Sequence, residues 1–254
     1  MIAALIIGKH KSMGCPGKNV RPVLGRPMAE YAFMAAQNSR HIAKVYVSTD
    51  SPNIAEIGKK YGAEHIERPP ELATPEALTE HALLHAYEEM QARNSERIEI
   101  VALLFANAPT IPLGMIDEGI EALQADTNLD SAFSVCQYDM WAPLRARRLD
   151  GDGIIQPYVP HEALGDTDSM SSIRGGEGAC YFCDLTVQIL RDRCFKNMWE
   201  GQLPFRWQGQ RSIALKNDYG FDIDAQWQIP VVEYWMKEHG FSETRTPYDR
   251  NGNG

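Results

Sequence analysis

The sequence lacks long apolar runs, has few cysteines and carries no surplus of positive charge. Its apolar N-terminal run, residues 2–7, is soon followed by Lys9, whereas a membrane helix needs about 20 apolar residues. We therefore expect a buried strand there and no membrane partner. The five cysteines are an odd number in a chain long enough to fold without disulfides, which favours a reducing cytoplasm. The formal net charge of −9 argues against nucleic acid as a partner, because nucleic-acid binders neutralise phosphates with lysine and arginine.

Several well-known catalytic patterns are absent as well. The sequence has neither G-x-x-x-x-G-K-[ST] nor G-x-G-x-x-G, and no G-x-S-x-G nucleophile elbow. Cys180 and Cys183 have the spacing of a zinc or redox motif, but they lie in a β-like run that would place them on opposite faces of a strand. His81 and His85 lack the glutamate of H-E-x-x-H and are interpreted as part of a helix face.

Apolar runs with the spacing of strands and of helices alternate along the chain. The predicted strands cover residues 2–7, 44–48, 98–104, 131–135, 177–182 and 212–215. The predicted helices cover residues 28–37, 54–61, 79–90, a segment around 116–123, and 228–239. This alternation predicts an α/β fold with a doubly wound, mostly parallel sheet, whose ligand crevice lies beyond the C-terminal strand ends. The length suits a single domain over residues 1–254, with a weakly patterned extension at 141–176 where we expect dimer contacts.

A lysine-rich loop follows the first predicted strand and therefore lies at that crevice. Residues 8–19 contain Lys9, Lys11 and Lys18, together with glycines and Ser12. Glycine turns expose backbone amides and the lysines supply positive charge, a combination suited to a polyphosphate. The alternative interpretation is a solvated basic loop.

Asp222 and Asp224 form a second candidate site, just ahead of the last predicted helix. In an extended segment residues i and i+2 share a face, so both carboxylates would point the same way. Two such groups repel unless a cation lies between them. Mg²⁺ suits the pair because it combines a few carboxylates with water and phosphate oxygens. The alternative is that Asp224 caps the helix.

Five groups of short motifs occur in a specific order along the chain. They are PGKN at 16–19 with RP at 21–22, VSTD at 47–50, AE at 55–56 with KYGAE at 60–64, RPPELA at 68–73, and DID at 222–224. This order resembles that of the CMP-sialic acid synthetases (acylneuraminate cytidylyltransferases) and of related enzymes acting on other acidic sugars. The resemblance extends from Ile2 to about Glu233, which is nearly the whole chain.

The resemblance implies a Rossmann-like nucleotidyltransferase that transfers CMP from CTP to a small acidic, sialic-acid-like acceptor. It also implies Mg²⁺ as cofactor and a homodimer whose extension reaches the partner's site. The implied catalytic residues are Lys18, Asp222 and Asp224, the two aspartates holding the metal. The nucleotide-binding set combines Gly8, Lys9, Lys11 and Ser12 of the basic loop with Asn19, Arg68, Ala77 and Thr79, which the resemblance assigns to cytosine and its ribose. The implied acceptor-binding residues are Asn107, Arg145, Arg174 and Tyr181.

Two segments depart from the family pattern. Where the family reads roughly A-R-G-G-S-K, residues 8–13 read GKHKSM, with Lys9 in place of arginine and Met13 in place of the last lysine. Where the family reads Q-P-T-S-P-L-R, residues 105–111 read FANAPTI and lack the glutamine and arginine of the acceptor pocket. These departures point to an acceptor other than sialic acid. Two alternatives stay open: a guanylyl- or uridylyltransferase acting on a sugar 1-phosphate or phosphonate, and a non-catalytic nucleotide-binding module.

Overall fold

The computed structural model describes residues 1–11, 14–166, 168, 170–173, 175–176 and 178–249. The strands in these residues are β1 Ile2–Gly8, β2 Pro22–Val23, β3 Arg26–Pro27, β4 Lys44–Thr49, β5 Glu64–Glu67, β6 Ile100–Phe105, β7 Ser131–Gln137, β8 Arg147–Leu149, β9 Ile155–Pro157, β10 Tyr181–Arg191 and β11 Ser212–Lys216. The α-helices are α1 Met28–Asn38, α2 Pro52–Lys60, α3 Thr79–Ala92, α4 Met115–Ala125, α5 Asp192–Lys196 and α6 Gln228–Glu238.

Seven of the strands form one central sheet, in the order β11-β7-β10-β6-β1-β4-β5. β1 pairs in parallel with β4 and β6, β4 with β5, and β7 with β11, whereas β10 is antiparallel to both of its neighbours. The predicted α/β fold with a mostly parallel sheet is therefore confirmed. Gly8 is opposite Thr49 and Ile7 is opposite Phe105, so β1, β4 and β6 end together at one edge of the sheet. The loops that follow these strands meet there.

Helices cover both faces of the sheet, which explains why β1 and β6 are apolar throughout. Ala4 and Ile6 of β1 belong to a core cluster with residues of α1, α4 and α6. Ala3 and Leu5 point to the opposite face and pack in a second cluster with residues of α3 and α5. Successive side chains of one strand thus supply two separate apolar layers.

The predicted strand at 177–182 was wrong in its extent. β10 begins at Tyr181 and continues to Arg191, because its second half is buried between β6 and β7. The structure also contains β5 and the short hairpins β2–β3 and β8–β9, none of which the sequence patterns predicted. The helix-cap interpretation of Asp224 was wrong too, since α6 begins at Gln228 and its N-cap residue is Trp227. Pro230 consequently lies in the first turn, where no helical hydrogen bond is lost.

Among the described residues, no helix combines the length and the apolar character needed to cross a membrane. None of the five cysteines, all of which are described, forms a disulfide. Within the same part of the chain, no group of three or more His, Cys, Asp or Glu side chains is arranged to hold a metal ion. His81 instead packs edge-on against the Trp199 ring, with the ring centroids 5.2 Å apart.

Candidate functional site

A cavity of about 780 Å³ opens at the sheet edge where β1, β4 and β6 end. It is lined by ten of the residues that the sequence analysis singled out: Gly8, Lys9, Lys11, Lys18, Asn19, Arg68, Thr79, Asn107, Asp222 and Asp224. Seven further residues complete the lining: Ile7, His10, Pro16, Gly17, Pro75, Ala82 and Phe105. The two candidate sites predicted from sequence are therefore one site.

Four cations line the cavity and are called here the basic wall: Lys9, Lys11, Lys18 and Arg68. Lys9 Nζ donates to the backbone oxygen of Thr74 at 2.8 Å. Burial and the neighbouring Arg68 charge both lower the pKa of Lys9. Cations that repel one another are stabilised when an anion binds between them. The basic wall is therefore suited to a polyphosphate.

Arg68 is the most deeply buried cation of the basic wall. It follows β5 directly, is only 4% exposed, and donates from its terminal guanidinium nitrogen to Ser48 O at 2.9 Å. Burial lowers its pKa, against the opposing effect of the Asp50 charge. Its Nε is buried and finds no acceptor among the described residues. A ligand in the cavity could supply that acceptor.

Asn19 lies beside the basic wall, on a short 3₁₀ turn after Gly17. Gly17 has a φ of 69°, a left-handed conformation that glycine adopts without strain. Asn19 Nδ2 donates to Lys9 O at 2.9 Å, while its Oδ1 is buried and unpaired within the described residues. Asn19 therefore offers an unused acceptor, as Arg68 offers an unused donor.

The two acids that line the cavity, called here the acidic wall, are Asp222 and Asp224. Ile223 between them is fully buried in the core, so the two carboxylates face the cavity as the i, i+2 pattern predicts. Asn107 holds this segment with bonds from Nδ2 to Asp222 Oδ2 at 3.1 Å and to Ile223 O at 3.0 Å. Ile223 N donates back to Asn107 O at 2.8 Å.

Lys18 joins the two walls although it is 206 residues away from Asp224 in sequence. Its Nζ lies 2.5 Å from Asp224 Oδ1 and 2.5 Å from Ile223 O. The backbones also touch, because a Cβ on Gly14 would lie only 2.4 Å from Asp224 O. The early basic loop and the late aspartates, predicted from sequence as two candidate sites, are thus in direct contact.

The electrostatics of the acidic wall match a cation site. Burial, followed by the charge of Asp224, raises the pKa of Asp222, although Lys18 and Asn107 partly oppose this effect. Two carboxylates that disfavour each other's charge are relieved by a cation between them. Asp222 and Asp224 fit Mg²⁺, which needs few protein ligands when substrate phosphates and water complete its shell.

Some predicted residues lie elsewhere. Ala77 does not line the cavity, and its carbonyl lies 3.5 Å from Lys9 Nζ. Arg145 donates to Ser172 O at 2.9 Å within the extension, and Tyr181 at the start of β10 lies 5.7 Å from the Lys216 ammonium. Neither lines the cavity, so their acceptor roles stay predictions. Ser12 and Arg174 lie outside the described residues.

The sequence analysis gave no role to His10 and Phe105, which also line the cavity. The backbone N–H of His10 donates to Asp50 Oδ1 at 2.8 Å, which ties the basic loop to the end of β4. Their positions were the available signal, because Phe105 directly follows a predicted parallel strand and His10 lies in the loop after another.

The chain matches one protein family over much of its length. The family model described as cytidylyltransferase matches residues 3–148, more than half of the sequence. The chain belongs to the cytidylyltransferase family. This membership confirms the family resemblance found in the motifs.

Two curated relatives illustrate the similarity. N-acylneuraminate cytidylyltransferase A of Danio rerio is 28% identical over 243 residues, which cover 94% of this chain and 52% of that protein. Pseudaminic acid cytidylyltransferase of Campylobacter jejuni is 29% identical over 194 residues, covering 76% of this chain and 82% of that protein. The chain thus spans about half the length of the Danio rerio relative.

Solved structures of other cytidylyltransferases share the fold. A CMP:2-keto-3-deoxy-manno-octonic acid synthetase complexed with CTP superposes with a TM-score of 0.64 at 15% identity, covering 93% of this chain and 98% of that one. A 4-diphosphocytidyl-2C-methyl-D-erythritol synthase from Anaerococcus prevotii gives a TM-score of 0.58 at 13% identity, with coverages of 93% and 98%. The predicted Rossmann-like nucleotidyltransferase fold is therefore confirmed.

Proposed function

We propose that the chain transfers CMP from CTP to a small acidic sugar of the nonulosonic type and releases pyrophosphate. The observation that carries this proposal is the meeting of the basic wall and two aspartates around one cavity, in a chain of the cytidylyltransferase family. Relatives that act, by name, on N-acylneuraminate and on pseudaminic acid support the class of acceptor.

The reaction is an in-line displacement in which an acceptor oxygen attacks the α-phosphorus and pyrophosphate leaves. Such chemistry depends on positioning and charge neutralisation more than on a covalent protein intermediate. Lys9, Lys11 and Lys18 are placed to hold the triphosphate and the departing pyrophosphate. Mg²⁺ held by Asp222 and Asp224 would neutralise charge at the reacting phosphate, contributing on the order of several kcal/mol.

Unpaired polar atoms on two residues that line the cavity favour cytosine as the base. Cytosine presents an amino donor beside ring acceptors, whereas uracil has a carbonyl acceptor in place of the amine. Asn19 Oδ1 is an unpaired acceptor and Arg68 Nε is an unpaired donor within the described residues. This pair complements cytosine, and an acceptor facing the uracil carbonyl would be repelled.

The proposal includes a homodimer that places the extension of one protomer near the site of the other. The hairpin β8–β9 and its turn carry exposed apolar side chains, with Leu149 69% and Ile155 66% exposed. Exposed apolar groups of this kind mark protein interfaces. Arg145 lies next to the hairpin and would bring positive charge to an acidic acceptor.

The absence of disulfides further supports a reducing, cytoplasmic setting.

The test is a panel of CTP, UTP, GTP and ATP with Mg²⁺ and two sets of acceptors, nonulosonic acids and sugar 1-phosphates, scored by pyrophosphate release. We expect release with CTP and a nonulosonic acid only. Release with GTP or UTP and a sugar 1-phosphate would establish the alternative transferase. Calorimetric binding of CTP without turnover on any acceptor would favour a non-catalytic module. Light scattering of the same sample gives the oligomeric state.

A further inference from the structure

A buried carboxylate lies beneath the acidic loop, defined here as residues 217–224, between β11 and α6. This group is Asp184 of β10, and it is only 4% exposed. Its oxygens accept five hydrogen bonds, from Asn217 Nδ2 (2.8 Å), Cys136 Sγ (3.1 Å), the backbone N and Oγ1 of Thr186 (both 3.0 Å) and Ser134 Oγ.

Asp184 has no cationic partner in the part of the chain that the structure describes. A buried carboxylate is costly unless donors surround it. Burial and the Asp184 charge raise the pKa of the Cys136 thiol, so that thiol stays protonated and donates. The network is therefore a complete shell of donors around one acceptor group.

The backbone around Asp184 departs from regular strand geometry to build this shell. The register of β10 against β7 shifts between Cys183 and Gln188. Within that stretch Leu185 has a φ of 60°, a left-handed conformation that is unfavourable for a non-glycine residue. Strain of this kind persists where the surroundings require it and clusters at functional sites.

The donors of this network also hold the acidic loop, which has neither helical nor strand structure. Asn217 Nδ2 donates to Thr110 O at 3.2 Å as well, and Cys136 Sγ lies 3.3 Å from Gly220 O. Phe221 N donates to Thr110 Oγ1 at 3.1 Å. A Cβ on Gly220 would lie 2.2 Å from Asn217 Nδ2, so the loop packs on the network without spare room.

We propose that Asp184 is a positioning residue: through Asn217 and Cys136 it fixes the acidic loop, and thereby the place at which Asp222 meets the metal and the reacting phosphate. The inference rests on the proposed function only for the role of Asp222 at the metal and the reacting phosphate. The positioning itself is a property of the chain without substrate, and it can be measured there.

The test compares Asp184→Asn with a matched control, Asp192→Asn. An amide at position 184 keeps the size of the side chain but puts an N–H₂ donor where the surrounding groups are themselves donors. The hydrogen bonds that hold the acidic loop are therefore weakened. We expect kcat to fall about 10- to 100-fold with the KM for CTP nearly unchanged, as for other residues that orient metal ligands. The Mg²⁺ concentration for half-maximal rate should rise.

Asp192 is also buried, at the opposite end of β10, and pairs with Arg97 and Lys196, so its variant should keep the wild-type kcat.

Hydrogen exchange of the substrate-free protein gives the second readout. Amides of residues 217–224 should exchange faster in Asp184→Asn than in Asp192→Asn, with the central strands unchanged. Cys136→Ala removes the thiol that links Asp184 to Gly220 O and should reproduce the faster exchange if Asp184→Asn does not fold. Wild-type exchange of the loop and a kcat within twofold of wild type would overturn the proposal, as would equal acceleration throughout the sheet. An inactive wild type would refute only the proposed function.

Discussion

The two walls of the cavity are held in different ways. Lys9 and Lys11 of the basic wall sit on a partly exposed loop, and the Lys9 ammonium rests on a backbone carbonyl from a neighbouring loop. On the acidic wall, Asn107 makes three hydrogen bonds to the Asp222–Ile223 segment, and the buried Asp184 network supports the same loop from beneath.

This difference fits two tasks. A triphosphate is a flexible anion, and long lysine side chains can follow it as it binds and as pyrophosphate leaves. A metal ion instead demands fixed ligand geometry, and small displacements of its ligands are costly. Satisfied buried hydrogen bonds therefore mark the rigid part of the cavity, at Asp222 and Ile223, and partly exposed lysines mark its adaptable part, at Lys9 and Lys11.

The largest effect should come from breaking the acidic wall. Asp224→Ala removes a proposed metal ligand, and we expect the rate of CTP-dependent pyrophosphate release to fall by about 10³-fold or more, since several kcal/mol of transition-state stabilisation are lost. Asp218→Ala is the matched control, because Asp218 is an exposed acid of the same loop that does not line the cavity. A rate near wild type in Asp224→Ala would contradict the proposal that Asp224 is a metal ligand.

A smaller effect is expected on the basic wall. Arg68→Ala should weaken CTP binding about 10- to 100-fold, since a hydrogen bond to a charged group contributes about 1.5–3 kcal/mol, while the kcat at saturating CTP should change little. Titration calorimetry with and without Mg²⁺ measures the affinity. Arg93→Ala, which alters a cation bound to Glu89 outside the cavity, is the control. Equal CTP affinity in both variants would exclude Arg68 from the nucleotide site.

The smallest effect concerns stability and its dependence on pH. Because the pKa of Asp222 is raised on folding, the folded state binds that proton more tightly than the unfolded chain. The resulting penalty is absent at low pH, where the group is protonated in both states, and appears as pH rises through the folded pKa. Asp222→Asn should therefore have a higher urea midpoint than wild type at pH 7 without Mg²⁺, and an equal one near pH 3. A lower midpoint for the variant at pH 7 would contradict the assigned repulsion.

Much of the fold and of this site follows from strand order alone. Once β1, β4 and β6 are predicted to be parallel, the loops after them must meet at one edge, which brings Gly8, Asp50 and Asn107 together. The DID segment could be predicted because alternation fixes which side chains share a face.

Other features of the fold and of the site could not be predicted from the sequence. The direction of β10 depends on burial between two strands that come earlier in the chain, which no local pattern reveals. Asp184 stands alone as a charge in the run YFCDLTVQIL. Only the three-dimensional structure shows that three of its five donors come from β7 and from the loop after β11. The extension has short irregular turns with little periodicity, so its residues could be assigned only by resemblance.

The hydrogen atom that serves Gly14 as a side chain lets the early loop pass directly against the backbone of Asp224. Any larger residue there would meet the Asp224 carbonyl at 2.4 Å and push the early loop outward. The Lys18 ammonium, which lies 2.5 Å from Asp224 Oδ1 and 2.5 Å from Ile223 O, would then lie farther from both. A single methyl group at this crossing point would thus separate charges that the rest of the chain brings together.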